Sequence, residues 1–162
     1  MRVARSWIGT PHHPGADLRG VGVDCGMLLV RVYVDAGLVP AFDLRPYPQD
    51  WHRHRADERD LGFVFDRAAE VARPDPGDVV VCHGRAYAHG GIVTATEPLT
   101  LVHAFWPAQA VIEEPLARNP VLSELGRHPR FLSLWAVGAI VGTGPACIVR
   151  RRSVPWPFCL TV

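Results

Sequence analysis

Short apolar runs in the second half of the chain, separated by turn residues, constrain the fold more than any other sequence feature. Val79–Cys82 follows an Asp-Pro-Gly-Asp turn, and Gly91–Ala95 is separated from Leu99–Ala104 only by Thr96-Glu97-Pro98. Runs of this length with such boundaries are typical of buried strands, and the short connection predicts a hairpin. Two later runs are further predicted strands: Ala110–Glu113 and Leu132–Val137.

Helical patterns precede these strands. From Cys25 to Ala36 the apolar residues Leu29, Val32 and Tyr33 recur at the spacing of one helix face. Asp24 is a suitable N-cap, and Gly37 is a suitable C-terminal stop. A second helix is predicted from about Glu58 to Ala72, after a long surface connection over 39–57. Helices followed by antiparallel strands predict an α+β fold.

Size and composition exclude several classes of protein. The 162 residues suffice for one domain with a real core, and a formal net charge of +1 disfavours a general nucleic-acid binder. Four cysteines without a Cys-x-x-Cys pair predict no disulfide scaffold. The N-terminus lacks the apolar run of a signal peptide, and no apolar run is long enough to span a bilayer. We therefore expect synthesis in the cytoplasm and no membrane partner.

The domain is expected to cover residues 1–142. Beyond about Gly142 the pattern fades, and the segment 143–162 contains three consecutive arginines and a Pro-Trp-Pro sequence. This segment is interpreted as an extended C-terminal tail that docks on a partner. A solvated C-terminus is the open alternative.

Cys25 is the candidate nucleophile. A cysteine in the first turn of a helix lies at the positive end of the peptide dipoles, which favours its thiolate and lowers its pKa. The unpaired amides of that turn can also hold the oxyanion that forms when a carbonyl is attacked. Asp24 opposes the thiolate, so a histidine must accept the proton. A buried structural cysteine is the alternative until such partners are found.

Two histidines are the candidate partners. His89 comes immediately before a predicted strand, and the adjacent glycines would let the nucleophile helix or a substrate approach the backbone. His103 lies on the next strand of the hairpin, where it could hydrogen-bond the imidazole of His89 and fix its tautomer. The predicted order is nucleophile, base and orienting residue. Each histidine alone is also compatible with an ordinary surface or core position.

Five segments with these residues resemble the NlpC family of cell-wall cysteine peptidases in order and spacing. They are Trp7–Pro11, Gly22–Cys25, Pro76–Val81, His89–Val93 and Val102–Ala104. The resemblance covers about residues 1–137 and implies a papain-like α+β fold, with N-terminal helices packed on an antiparallel sheet. It also implies a triad in which Cys25 is the nucleophile, His89 the base and His103 the orienting residue. No cofactor is implied.

The resemblance carries further expectations about substrate and context. Members of the family usually cut peptidoglycan stem peptides beside γ-D-glutamyl residues. Residues 47–51, Tyr-Pro-Gln-Asp-Trp, and the predicted helix after them look like the phage-encoded branch, which includes gene transfer agents. We therefore expect a peptidoglycan hydrolase carried in a phage-like tail, with tail-tip or hub proteins as partners, that opens the wall for DNA delivery.

Two departures from the family pattern concern the substrate contacts. His12 stands where a tyrosine is usual, and Gly26-Met27 replaces the usual Ser-Gly after the cysteine. Gly26 still offers its backbone amide to an oxyanion, and His12 could donate a hydrogen bond in place of the tyrosine hydroxyl. The predicted substrate-binding or oxyanion residues are therefore His12, Asp24, Gly26 and Gly90.

Three other interpretations remain open. A zinc site would need His12, His13, His52 and His54, but their spacing fits no standard motif, so no metal is expected. A catalytically silent tail-tip component could keep the fold, although all three triad positions carry competent residues. An acyltransferase or thioesterase acting on lipids would use the same triad, but no membrane-binding helix is evident.

Overall fold

A six-stranded antiparallel sheet forms the centre of the molecule. The computed structural model describes residues 1–43, 45, 68–83, 88–125 and 129–135. The six strands are β3 Ala69–Val71, β4 Val79–His83, β5 Ala88–Thr96, β6 Leu99–Phe105, β7 Ala110–Pro115 and β8 Arg130–Ser133. Their order across the sheet is β3-β8-β4-β5-β6-β7, and every neighbouring pair is antiparallel.

The remaining described elements are short, apart from one helix. A two-stranded hairpin pairs β1 with β2 and leads directly into α2. These elements are β1 Asp17–Leu18, β2 Gly22–Val23, α1 Arg2–Arg5, α2 Cys25–Asp35 and α3 Pro120–Leu125, with 3-10 turns at Trp106–Ala108 and Leu116–Arg118. The predicted α+β architecture is confirmed.

Helix α2 begins and ends where the sequence predicts. The Asp24 side chain accepts a hydrogen bond from the Met27 amide at 2.8 Å, an N-cap that typically stabilises a helix by roughly 0.5–2 kcal/mol. At the other end Gly37 has a φ of +67°, and the amide of Leu38 donates to the carbonyl of Tyr33. This bond and the one from the Gly37 amide to the Val34 carbonyl form a Schellman motif. The motif requires a residue that tolerates positive φ at the position of Gly37.

The sheet is apolar on both faces. Alternate residues of β4 point to opposite sides, so that Val79 and Val81 pack in the cluster with α2, while Val80 and Cys82 join a second cluster. Leu122 of α3 is completely buried in that second cluster. Coverage on both faces explains why β4 is an unbroken apolar run in the sequence.

Most predicted strands are confirmed with adjusted ends. The hairpin of β5 and β6 turns at residues 97 and 98, as predicted. His89 lies inside β5, paired with Cys82, and the prediction that it precedes the strand was wrong. The last predicted strand begins earlier, at Arg130, and ends at Ser133.

The second predicted helix is wrong in its last part. Ala69–Val71 is strand β3, which pairs with β8 and places Glu70 against Arg130, with 3.1 Å between Oε2 and Nη2. An alanine-rich segment has helical propensity, but here strand pairing at the sheet edge decides its structure. The rest of that predicted helix, from Glu58 on, lies outside the described residues.

Several other predictions also fall outside the described residues. They include the Tyr-Pro-Gln-Asp-Trp segment 47–51, His52, His54 and the whole C-terminal segment 143–162, so the boundary at 142 stays a prediction. In the described part of the chain, no helix has both the length and the apolar character needed to cross a membrane.

Candidate active site

Cys25 is the first residue of α2, and the elements around it hold it firmly. Asp24 accepts from the amide of Met27 through Oδ1 and from the amide of Gly15 through Oδ2, at 2.8 and 2.7 Å. These two bonds join the first turn of α2 to the turn that precedes β1. A carboxylate offers no donor to an oxyanion, so these contacts are those of a cap that fixes the position of Cys25.

The Cys25 thiol is buried, and its surroundings favour the protonated form. Only 8% of the residue is exposed, and burial raises its pKa to about 12, with a further increase from the charge of Asp24. The amides of Gly90, Gly26 and Cys25 itself act in the opposite direction by hydrogen bonding to the sulfur. The expectation of a lowered pKa was wrong, because loss of solvent outweighs the helix terminus here.

Gly90 allows α2 to approach β5 closely. A Cβ atom added to Gly90 would lie 2.9 Å from Cδ1 of Leu29, which is closer than real Cβ contacts come. Leu29 is one helical turn after Cys25 and therefore on the same side of α2. The missing side chain thus brings the Gly90 amide to the Cys25 sulfur, as expected from the glycines beside His89.

The imidazoles of His89 and His103 are in direct contact. Nε2 of His89 lies 2.8 Å from Nδ1 of His103, and the ring planes are nearly perpendicular at 80°. Gly91 leaves room for this arrangement, because an added Cβ would be 3.2 Å from Cβ of His103. Phe105 packs against both rings, with centroid distances of 6.0 and 5.2 Å. The hairpin therefore brings the two predicted histidines together.

Both histidines are neutral near physiological pH. His89 is 1% exposed, and burial lowers its pKa well below the usual value, assisted by the neighbouring His103 and His12. Burial also lowers the pKa of His103, to about 4, although the carboxylate of Glu114 partly offsets the effect. Burial therefore shifts the thiol and both imidazoles toward their neutral forms.

Sequence reasoning missed Glu114. Its Oε1 lies 3.2 Å from Nε2 of His103, a close contact whose alignment falls short of that of a hydrogen bond. The same oxygen accepts from Nδ2 of Asn119 at 2.6 Å. The sequence shows two consecutive glutamates on a predicted strand, but only the register of β6 and β7 tells which one faces His103.

The segment that carries His12 spans the site between two strands. The amide of His12 donates to the carbonyl of Gln109 at 2.9 Å, and His12 also forms a parallel bridge with Val23, two residues before Cys25. The His12 ring contacts Trp106 edge to face at 5.3 Å. Trp106 is 55% exposed and is a second residue that sequence reasoning missed. An exposed tryptophan beside the site offers an aromatic wall to a substrate.

The seven predicted site residues fall into two adjoining groups. Asp24, Cys25 and Gly26 lie at the start of α2, where the Gly90 amide meets the Cys25 sulfur, and His89 follows directly before Gly90 in β5 with His103 and His12 beside it. His13 points elsewhere and contacts the carbonyl of Pro14 at 3.2 Å. Among the described residues no group of three or more His, Cys, Asp or Glu side chains is arranged to hold a metal ion.

The chain is similar to solved structures, although its sequence matches no family model or curated protein. A solved structure of an NLP/P60 family protein, similar to lipoprotein, from Staphylococcus aureus superposes with a TM-score of 0.53 at 20% identity. That match covers 80% of this chain and 39% of the other.

Two further solved structures are similar over most of their length. The NlpC/p60 domain of the peptidoglycan hydrolase SagA matches at 19% identity and a TM-score of 0.49, with 82% of this chain and 92% of that one covered. The P60 domain of an antigen from M. avium subspecies paratuberculosis matches at 16% identity and a TM-score of 0.49, with 82% and 88% covered. The superposition on the S. aureus protein shows that the chain has the α+β fold of the NlpC/p60 domains.

Proposed function

We propose that this protein belongs to the NlpC/p60 family and is a cysteine peptidase that hydrolyses peptidoglycan stem peptides. The observation that carries the proposal is the position of the Cys25 thiol at a capped helix start, against the amide of the residue that follows His89. The contact of His89 with His103 adds the base and its orienting partner. The resemblance of five sequence segments to cell-wall cysteine peptidases supports the class of substrate.

In the proposed reaction the proton leaves the sulfur as the bond to carbon forms. Cys25 Sγ attacks the peptide carbonyl, and its proton passes to Nδ1 of His89, the ring nitrogen that does not face His103. The amides of Gly26 and Gly90 stabilise the oxyanion. His89 then protonates the departing amine, and the C–N bond breaks to leave an acyl-enzyme. Water attacks the thioester, His89 takes its proton, and the thiol is regenerated.

The departures from the family pattern bear on substrate recognition. His12 lies beside His89 and Trp106, so it is well placed to donate a hydrogen bond to the substrate in the role of the usual tyrosine. We assign His12 and Trp106 to the substrate-binding wall.

The expected bond is a γ-D-glutamyl bond of the stem peptide. A direct test compares two peptides that differ only in this residue, one with γ-linked D-glutamate and one with α-linked L-glutamate. Purified protein should cleave the first and leave the second intact, with both products identified by mass spectrometry. Equal cleavage of both peptides would contradict the specificity. No cleavage of either, or of whole muropeptides, would instead favour the silent structural role.

We further propose that the protein is delivered in a phage-like tail, where it contacts tail-tip or hub proteins and opens the wall locally for DNA entry. The support is the resemblance of residues 47–51 to the phage-encoded branch. Particles purified from the producing cells should contain the protein in a fixed ratio to tail subunits, measured by quantitative mass spectrometry. Recovery only in the particle-free fraction would rule out this delivery route.

A further inference from the structure

The chain of contacts that begins at His89 does not end at the predicted orienting residue. His103 lies between two partners, with Nδ1 at 2.8 Å from His89 and Nε2 at 3.2 Å from Oε1 of Glu114. His103 is completely buried, whereas the Glu114 side chain keeps 25% of its surface exposed. The carboxylate therefore reaches inward from the edge of the sheet to the far side of the histidine pair.

This geometry has a direct consequence for the position of the protons. A carboxylate can only accept, so its contact with Nε2 favours the His103 tautomer that carries hydrogen on that nitrogen. Nδ1 of His103 is then an acceptor, and Nε2 of His89 must donate to it. The hydrogen of His89 is thereby placed on Nε2, and its Nδ1 keeps the lone pair that a base needs.

We propose that Glu114 is a positioning residue that sets the tautomers of His103 and His89 and so keeps His89 ready to accept a proton. It touches neither the substrate nor the reacting atoms and acts through His103. The kinetic part of this inference rests on the proposed hydrolase function, whereas the assignment of tautomers does not.

Asn119 holds Glu114 in place. Its Nδ2 donates to Oε1 of Glu114 at 2.6 Å, while its Oδ1 accepts from the amide of Leu122 at 2.9 Å and caps α3. Asn119 is 2% exposed. One atom of the Asn119 amide caps α3, and the other binds the carboxylate. Asn119 therefore fixes the rotamer of Glu114 without adding charge.

The neighbouring glutamate supplies a matched comparison. Glu113 points to the opposite face of β7 and pairs with Arg5, with Oε1 at 2.9 Å from Nη2. It shares the strand and the charge of Glu114 but has a different partner. A change at Glu113 should therefore leave both imidazoles as they are.

The test combines imidazole nitrogen NMR with steady-state kinetics on the full chain. In Glu114→Ala, His103 should lose its uniform Nε2–H tautomer, and kcat should fall about 10- to 100-fold with KM nearly unchanged. Glu114→Gln should rescue both, because one amide oxygen can still accept from His103 and Asn119. Asn119→Asp keeps the cap but repels Glu114, so it should reproduce part of the loss. Glu113→Gln is the control.

The outcomes separate this inference from the proposed function. The positioning role of Glu114 would be overturned if Glu114→Ala kept a uniform Nε2–H tautomer of His103 and a kcat within about twofold of the parent. An equal loss in the Gln and Ala variants would also overturn it, because it would indicate a role in packing. If the parent protein hydrolyses no peptide, the proposed function fails, and the NMR spectra still decide whether Glu114 sets the tautomers.

Discussion

Replacement of Cys25 by alanine is expected to reduce stem-peptide hydrolysis by at least about 10⁴-fold, because the reaction then has no nucleophile to form the acyl-enzyme. The substitution removes one buried sulfur next to the Gly90 amide and leaves the Asp24 cap of α2 in place. The fold should therefore survive, which circular dichroism and thermal unfolding can verify. Product formation is measured by mass spectrometry on the γ-D-glutamyl peptide.

Two further variants distinguish chemistry from packing. Cys25→Ser keeps the shape of the side chain but supplies a much weaker nucleophile, so its activity should be almost as low as that of the alanine variant. Cys82→Ala removes a buried cysteine from the other core cluster and should retain activity. If the alanine variant at Cys25 still turned over substrate at more than a hundredth of the parent rate, the proposed nucleophile would be wrong.

Replacement of His89 by alanine is expected to lower kcat by about 10²- to 10⁴-fold, the usual contribution of a general acid–base residue. The pH dependence of the remaining activity should also change. Without the base, the reaction depends on the small fraction of Cys25 that is ionised, and burial raises the pKa of that thiol to about 12. Below that pKa the ionised fraction rises about tenfold for each pH unit, so the residual rate should keep increasing into alkaline solution.

The parent enzyme should behave differently, because its base is already neutral. The pKa of His89 is lowered well below 6.5, so the acid limb of kcat/KM should lie below the ordinary histidine range, with a plateau near neutral pH. His13→Ala is the control, since His13 is exposed and contacts Pro14. Parent-like kcat in His89→Ala, or a residual rate that levels off near neutral pH, would refute the role of His89.

The features that the sequence predicted well depend on local signals. Asp24 caps α2 because a carboxylate three residues before the Met27 amide needs no distant partner, and Gly37 ends the helix through its own backbone freedom. The β5–β6 hairpin is equally local, and it places His89 and His103 together. The places of the candidate triad residues, at the helix start and on the hairpin, follow from the same local signals, while their catalytic roles stay a prediction.

The features that the sequence did not predict depend on distant contacts. Ala69–Val71 is a strand because it pairs with β8, which lies far along the chain. The helical propensity of the segment itself carries no information about this partner. The raised pKa of Cys25 comes from burial by the assembled fold. The sequence alone does not distinguish Glu114 from Glu113, because only the register of β6 and β7 shows which glutamate faces His103.

The segment that carries His12 connects the two ends of the fold. Gly9 and His12 are bonded to Val111 and Gln109, and Arg5 pairs with Glu113, 108 residues further along the chain. Closing such long loops is costly, because chain entropy must be lost before the contacts form. A nascent chain that ends before Gln109 would thus contain Cys25, His89 and His103, but Gly9 and His12 would lack these backbone partners.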